Sequence, residues 1–144
     1  VGIWPGLWLR RFGGAPLGEI DLAELFQVAA PGTPVQTLHL KGRPNVAKGR
    51  RKVDTTTWHT YAVEISPVTA GTVRFRLLID DVETCVYVDP RADEWTTGVD
   101  PARCWDFAAQ IFVGGWTAVG QPDSTAPAVL EIDSIRVYTP RVMS

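Results

Sequence analysis

Residues 73 to 79 read Val-Arg-Phe-Arg-Leu-Leu-Ile, so Val73, Phe75, Leu77 and Ile79 are set apart by Arg74 and Arg76. Side chains alternate across a strand, and an apolar residue at every second position therefore marks a strand with one buried face. The pattern recurs on both sides. Tyr61, Val63 and Ile65 alternate with Thr60, Ala62 and Glu64, and Pro67 and Gly71 mark the turn that follows. After the short connection Asp80-Asp81, VETCVYV at 82 to 88 completes a hairpin pattern. The rest of the chain has to fold around these antiparallel strands.

Other segments extend the series. IWPGLWL at 3 to 9 puts Trp4 and Trp8 on one face if extended, and Pro5 argues against a helix interior. VQTLHL at 35 to 40 sets Val35, Thr37 and His39 against Gln36, Leu38 and Leu40. FAAQIFV at 107 to 113 leads into Gly114-Gly115-Trp116. VLEIDSIRVY at 129 to 138 reads as a last strand, with a change of phase, and so a bulge, near Asp133-Ser134. Lys48, Arg50, Arg51 and Lys52 read as a solvated turn, and residues 90 to 106 as a long loop holding Trp95 and Trp105. Strands every ten to fifteen residues with turns between them point to an antiparallel sandwich. Its 144 residues are enough for a single domain with one core.

Charge narrows the function classes. A net charge of −2 gives no footprint for nucleic acid or an anionic membrane, and neither is expected as a partner. No apolar run approaches the ~20 residues that span a bilayer. Cys85 and Cys104 leave both a disulfide and two separate thiols open. With two His and no CxxC spacing, no zinc site is assigned. Six Trp is a high count for this length; it mildly favours a carbohydrate site, with at least half of them expected in the core. The chain starts at Val1 and not Met, and is read as a fragment or a mature form.

The stretch Gly18 to Glu24 carries the candidate chemistry. Glu19, Asp21 and Glu24 are spaced E-x-D-x-x-E. Two readings compete. As a helix start, Asp21 is an N-cap and Glu24 its capping-box partner, with Leu22, Leu25, Phe26 and Ala29 at helical spacing. As a strand, Glu19 and Asp21 share a face, and a one-residue bulge at Leu22-Ala23 returns Glu24 to it. The two glutamate Cα atoms would then lie about 13 Å apart, and inward-leaning carboxyl groups about 5 Å apart. That separation suits a retaining glycosidase, which needs two carboxyl groups around one sugar bond. An all-β surrounding favours the strand.

Taken together, four ordered pieces resemble the catalytic domain of glycoside hydrolase family 16, the laminarinase-like enzymes. GIWPGLWL resembles the family's G-x-W-P-A-x-W segment, and GEIDLAE its bulged acid motif. WHTYAVEISP with RFRLLID resembles its F-H-T-Y-A-x-E-W hairpin. QIFVGGWTAVGQPDSTAP with EIDSIRVY resembles the segment that closes the domain. The resemblance implies a β-jelly-roll, concanavalin-like sandwich. It also implies that the family's N-terminal strands are missing, so that residues 1–144 are the C-terminal portion of the domain and part of a larger chain.

The resemblance implies roles as well. Glu19 matches the nucleophile, Glu24 the general acid/base and Asp21 the carboxylate between them. Trp8, Phe26, His39, Gln110 and Trp116 are the candidate substrate-binding residues, with Gln110 standing where the family usually has Asn. The run APLGE ahead of Glu19 lacks the Trp-Pro that the family often carries, so a stacking platform is expected to be absent there. Asp133 matches an aspartate that helps hold a structural calcium in some members. One oxygen falls far short of the six to eight ligands calcium takes, and no metal or cofactor is assigned. The implied function is retaining endo-hydrolysis of a β-linked polysaccharide, a β-1,3-glucan first, at an extracellular or cell-surface location. A transglycosylase would use the same residues. A non-catalytic carbohydrate-binding sandwich is the rival, and it has no need for both glutamates.

Overall fold

The computed structural model describes residues 3–11, 18–25, 32–39, 47–69, 71–90, 105–113 and 129–138. These residues form eight strands and no helix. In chain order they are β1 (Ile3–Arg11), β2 (Glu19–Glu24), β3 (Val35–His39), β4 (Ala47–Arg50), β5 (Tyr61–Thr69), β6 (Thr72–Ile79), β7 (Val82–Asp89) and β8 (Trp105–Val113). Two antiparallel sheets result, with strand orders β4-β3-β2-β1-β8 and β5-β6-β7. The expected antiparallel β-sandwich is the observed fold.

The alternation of β6 does what its pattern requires. Val73, Phe75 and Leu77 are fully buried and pack against Ile20, Leu22 and Leu38 of the larger sheet. Leu7, Leu9, Tyr61, Val63, Trp105 and Phe107 close around them. Each fully buried Leu, Ile or Phe contributes about 1.5–3 kcal/mol, so this layer holds the sheets face to face. The smaller sheet lies under one half of the larger. β4 sits over β7 and β2 approaches β5, while Ile111 of β8 is 42% exposed on the same face as Phe107.

Local chemistry explains the connections. The turn between β6 and β7 is Asp80-Asp81, with φ of 51° and 60°. A two-residue hairpin turn of the primed type needs positive φ at both positions, and Asp tolerates it. The Asp80 carboxylate accepts the Thr60 backbone N–H at 3.0 Å and faces His59 Nδ1 at 3.0 Å and Arg51 at 3.1 Å, which ties the turn to the chain entering β5. Pro5 sits in a central strand without cost to the ladder. Its carbonyl accepts the Leu25 N–H at 3.1 Å, so its missing N–H lies on the same side, where β2 has ended.

Three expectations are corrected. Residues 47–50 are not a solvated turn but the edge strand β4, paired with β3. Trp105 and Asp106 belong to β8 and not to the loop before it. Residues 129–138 pair with no strand among the described residues, and Val129, Val137 and Tyr138 are exposed by more than three quarters. An apolar alternation marks a face that can be buried, but a strand also needs a neighbour to complete its hydrogen bonds.

Candidate active site

An irregularity in β2 builds the site. Against β1, Leu7 faces Ala23 and Trp8 faces Asp21. Against β3, Asp21 faces Thr37 and Glu24 faces Val35. One extra residue at Leu22-Ala23 is therefore inserted relative to both neighbours, a β-bulge. Glu24, three positions after Asp21, is brought back to the face that carries Glu19 and Asp21. Ile20 and Leu22 point the other way, into the core. A helix beginning at Asp21 does not form, because residues 19–24 are strand.

The acids are close to one another, with Asp21 buried and Glu19 and Glu24 half-buried. Asp21 is 4% exposed. Its Oδ2 lies 2.5 Å from His39 Nε2, and the same nitrogen lies 3.7 Å from Glu19 Oε1. Burial raises the Glu19 carboxyl above its ordinary value, and the Asp21 charge and a hydrogen bond with Asp21 add to this. Burial also acts first on Glu24, followed by the charge of Asp21, and together they push it up to about 7. His39 opposes the rise, and so does the Thr37 hydroxyl, which donates to Glu24 Oε2 at 3.3 Å. A carboxyl that keeps its proton to about pH 7 can donate it to a leaving oxygen. A second carboxylate on the same face can attack.

Trp8 and Gln110 meet beside the acids. Trp8 Nε1 donates to Gln110 Oε1 at 3.1 Å, and the Arg10 guanidinium lies 5.3 Å from the Trp8 ring centre. Further along the same face Trp4 stacks on Phe112, with centroids 4.1 Å apart. Gly6 lies between Gln110 and Glu24 in register. A Cβ there would stand 3.0 Å from the Phe112 ring, so only glycine leaves this ring its place.

Of the expected residues, Glu19, Asp21, Glu24 and His39 come together, with Trp8 and Gln110 on the adjoining strands. Phe26 and Trp116 lie outside the described residues, as does Cys104. Cys85 is a half-buried free thiol. Asp133 is exposed in the unpaired segment 129–138. Glu19, Asp21 and His39 each offer one ligand atom within 4.8 Å of the others, a set that could hold a divalent ion. Thr37 and Gly6 were not singled out from the sequence. The alternation of Thr37 with His39 was the available signal for the first, and Gly6 offered none.

No protein-family model matches the sequence, and no curated protein does. Two solved structures do resemble it. One is SCLam, a non-specific endo-beta-1,3(4)-glucanase from family GH16, with TM-score 0.57 and 22% identity over 81% of this chain. The other comes from work on endo-acting O-glycanases that prominent members of the human gut microbiota express to initiate mucin breakdown, with TM-score 0.53 and 23% identity over 80% of this chain. The match covers 44% of each of those chains. The chain thus has the sandwich fold of a family 16 endo-glucanase, over less than half of that enzyme's length.

Proposed function

We propose that this chain carries the catalytic acids of a retaining, endo-acting glycoside hydrolase that cleaves a β-linked polysaccharide, with β-1,3-glucan as the first substrate to test. The observation that carries the reading is the bulge in β2, which gathers Glu19, Asp21 and Glu24 on one face while Glu24 holds its proton to about pH 7. Glu19 attacks the anomeric carbon as Glu24 protonates the departing oxygen. The resulting glycosyl ester is hydrolysed by water that Glu24, now ionised, deprotonates. Asp21 stands beside Glu19 and is itself held by His39, whose ring also faces Glu19. The fold shared with two glycanases supports the substrate class. A polymeric substrate supports an extracellular or cell-surface location.

The test is hydrolysis of laminarin-type glucan followed by NMR of the first product. The anomeric configuration is expected to be retained. Glu19→Ala should abolish turnover. Glu24→Ala should cost about 10²–10⁴-fold on the polysaccharide and far less on aryl glycosides, whose leaving groups need no proton. Inversion, or equal losses on both substrates, would refute the assignment of roles.

A further inference from the structure

On the side of the acids away from Trp8, the same face turns cationic. Register carries Asp21 to Thr37 and on to Lys48, and Glu24 to Val35 and on to Arg50. Residues paired directly across strands point to one side of the sheet. Lys48 and Arg50 therefore stand on the face of the carboxyl groups, two strand spacings or about 10 Å from β2. Gly49 fixes that orientation. It faces the smaller sheet, where an added Cβ would stand 3.0 Å from Thr84 Cβ and 3.1 Å from Gln36 Oε1. A flip of β4 would push Lys48 and Arg50 into that contact.

Both cations are exposed, and neither forms an ion pair among the described residues. Arg10, Arg51 and Arg76 all have carboxylate partners. Any carboxylate ionised at the centre of the face repels an anionic polymer. A pair of cations about one Debye length away can hold its charged group clear of them.

We propose that Lys48 and Arg50 bind an anionic substituent, a carboxylate or a sulfate, on the polysaccharide chain that crosses the site. The position of the polymer rests on the glycosidase reading above. A chain lying across the strands meets Trp8 and Gln110 on one side of the acids and the two cations on the other. A neutral glucan engages only the first half. Charges on an edge strand also discourage pairing with other sheets, a role that needs no ligand.

The experiment compares three polymers with one β-1,3-glucan backbone: unsubstituted, carboxymethylated and sulfated. Binding to the 144-residue chain is measured at low and high salt, for the wild type and for Lys48→Gln/Arg50→Gln. At least one charged polymer should bind about tenfold more tightly than the neutral one. The ranking of the two identifies the group. The preference should vanish in the double variant and in high salt, with neutral-glucan binding and the melting temperature unchanged. Equal binding of all three polymers by the wild type overturns the proposal, as does a preference that survives the double variant. A double variant that only aggregates more, with polymer binding unaltered, assigns the cations to edge protection. The parent reading fails separately. If no polymer is cleaved, the glycosidase assignment falls, while salt-sensitive binding that depends on Lys48 and Arg50 still stands.

Discussion

Thr37 acts on the proposed reaction through a single hydrogen bond. Its hydroxyl stabilises the ionised form of Glu24 and so restrains the rise that burial and Asp21 produce. Glu24 works first as an acid, so kcat/KM should fall as pH rises through about 7. Thr37→Val removes the donor, leaves the shape and raises the Glu24 pKa further. The basic limb of the pH profile is then expected to move up, with the acidic limb, set by Glu19, nearly in place. A downward shift, or a uniform loss at every pH, would show that the hydroxyl does not act on Glu24. The three acids were legible in GEIDLAE. The Thr37 contact was not, because it exists only if the bulge turns Glu24 toward β3.

The strands of the hairpin unit were the easiest to read, since β6 alternates cleanly from Val73 to Leu77. The irregular elements were harder. β4 spells Ala-Lys-Gly-Arg, with neither apolar alternation nor β-branched residues, and nothing in it resembles a strand. It becomes one because β3 offers an unpaired edge and because Gly49 lets it approach β7 closely. The matching feature in β7 is a second bulge. Leu77 faces Cys85 and Leu78 faces Glu83, which leaves Thr84 as the extra residue. Thr84 thereby turns inward, between Gln36 Oε1 and the Leu77 carbonyl. Gly49→Ala would press on this group from the other side. It is expected to cost about 1–3 kcal/mol in thermal unfolding. Thr84→Ala should be destabilising alone, yet Gly49→Ala/Thr84→Ala should lose less than the sum of the two. Strict additivity would show that the two positions do not touch.

Among the described residues the larger sheet is unevenly covered. The smaller sheet screens β4, β3 and β2, and leaves β8 partly open. The segment 129–138 adds exposed Val129, Ile132, Ile135, Val137 and Tyr138. Its apolar pattern was plain in the sequence, but a pattern names a face and not the neighbour that covers it. Exposed apolar residues of this kind favour association. Ile135→Lys/Val137→Lys should therefore raise the temperature at which light scattering begins, while the melting temperature moves by no more than a few degrees. An unchanged onset would show that association runs through another surface. The buried amide of Gln36 bears on the opposite margin. It donates to the Leu78 carbonyl at 3.1 Å and accepts from Thr84, which joins the two layers by hydrogen bonds. Mechanically the sandwich is a book with its spine at β4 and β7. Among the described strands the pages are least joined on the β8 side. Among the strands, backbone hydrogen exchange should accordingly be slowest around Gln36, Leu77 and Leu78 and fastest along β8, and replacing Gln36 by Leu should let the layers slip at both margins alike.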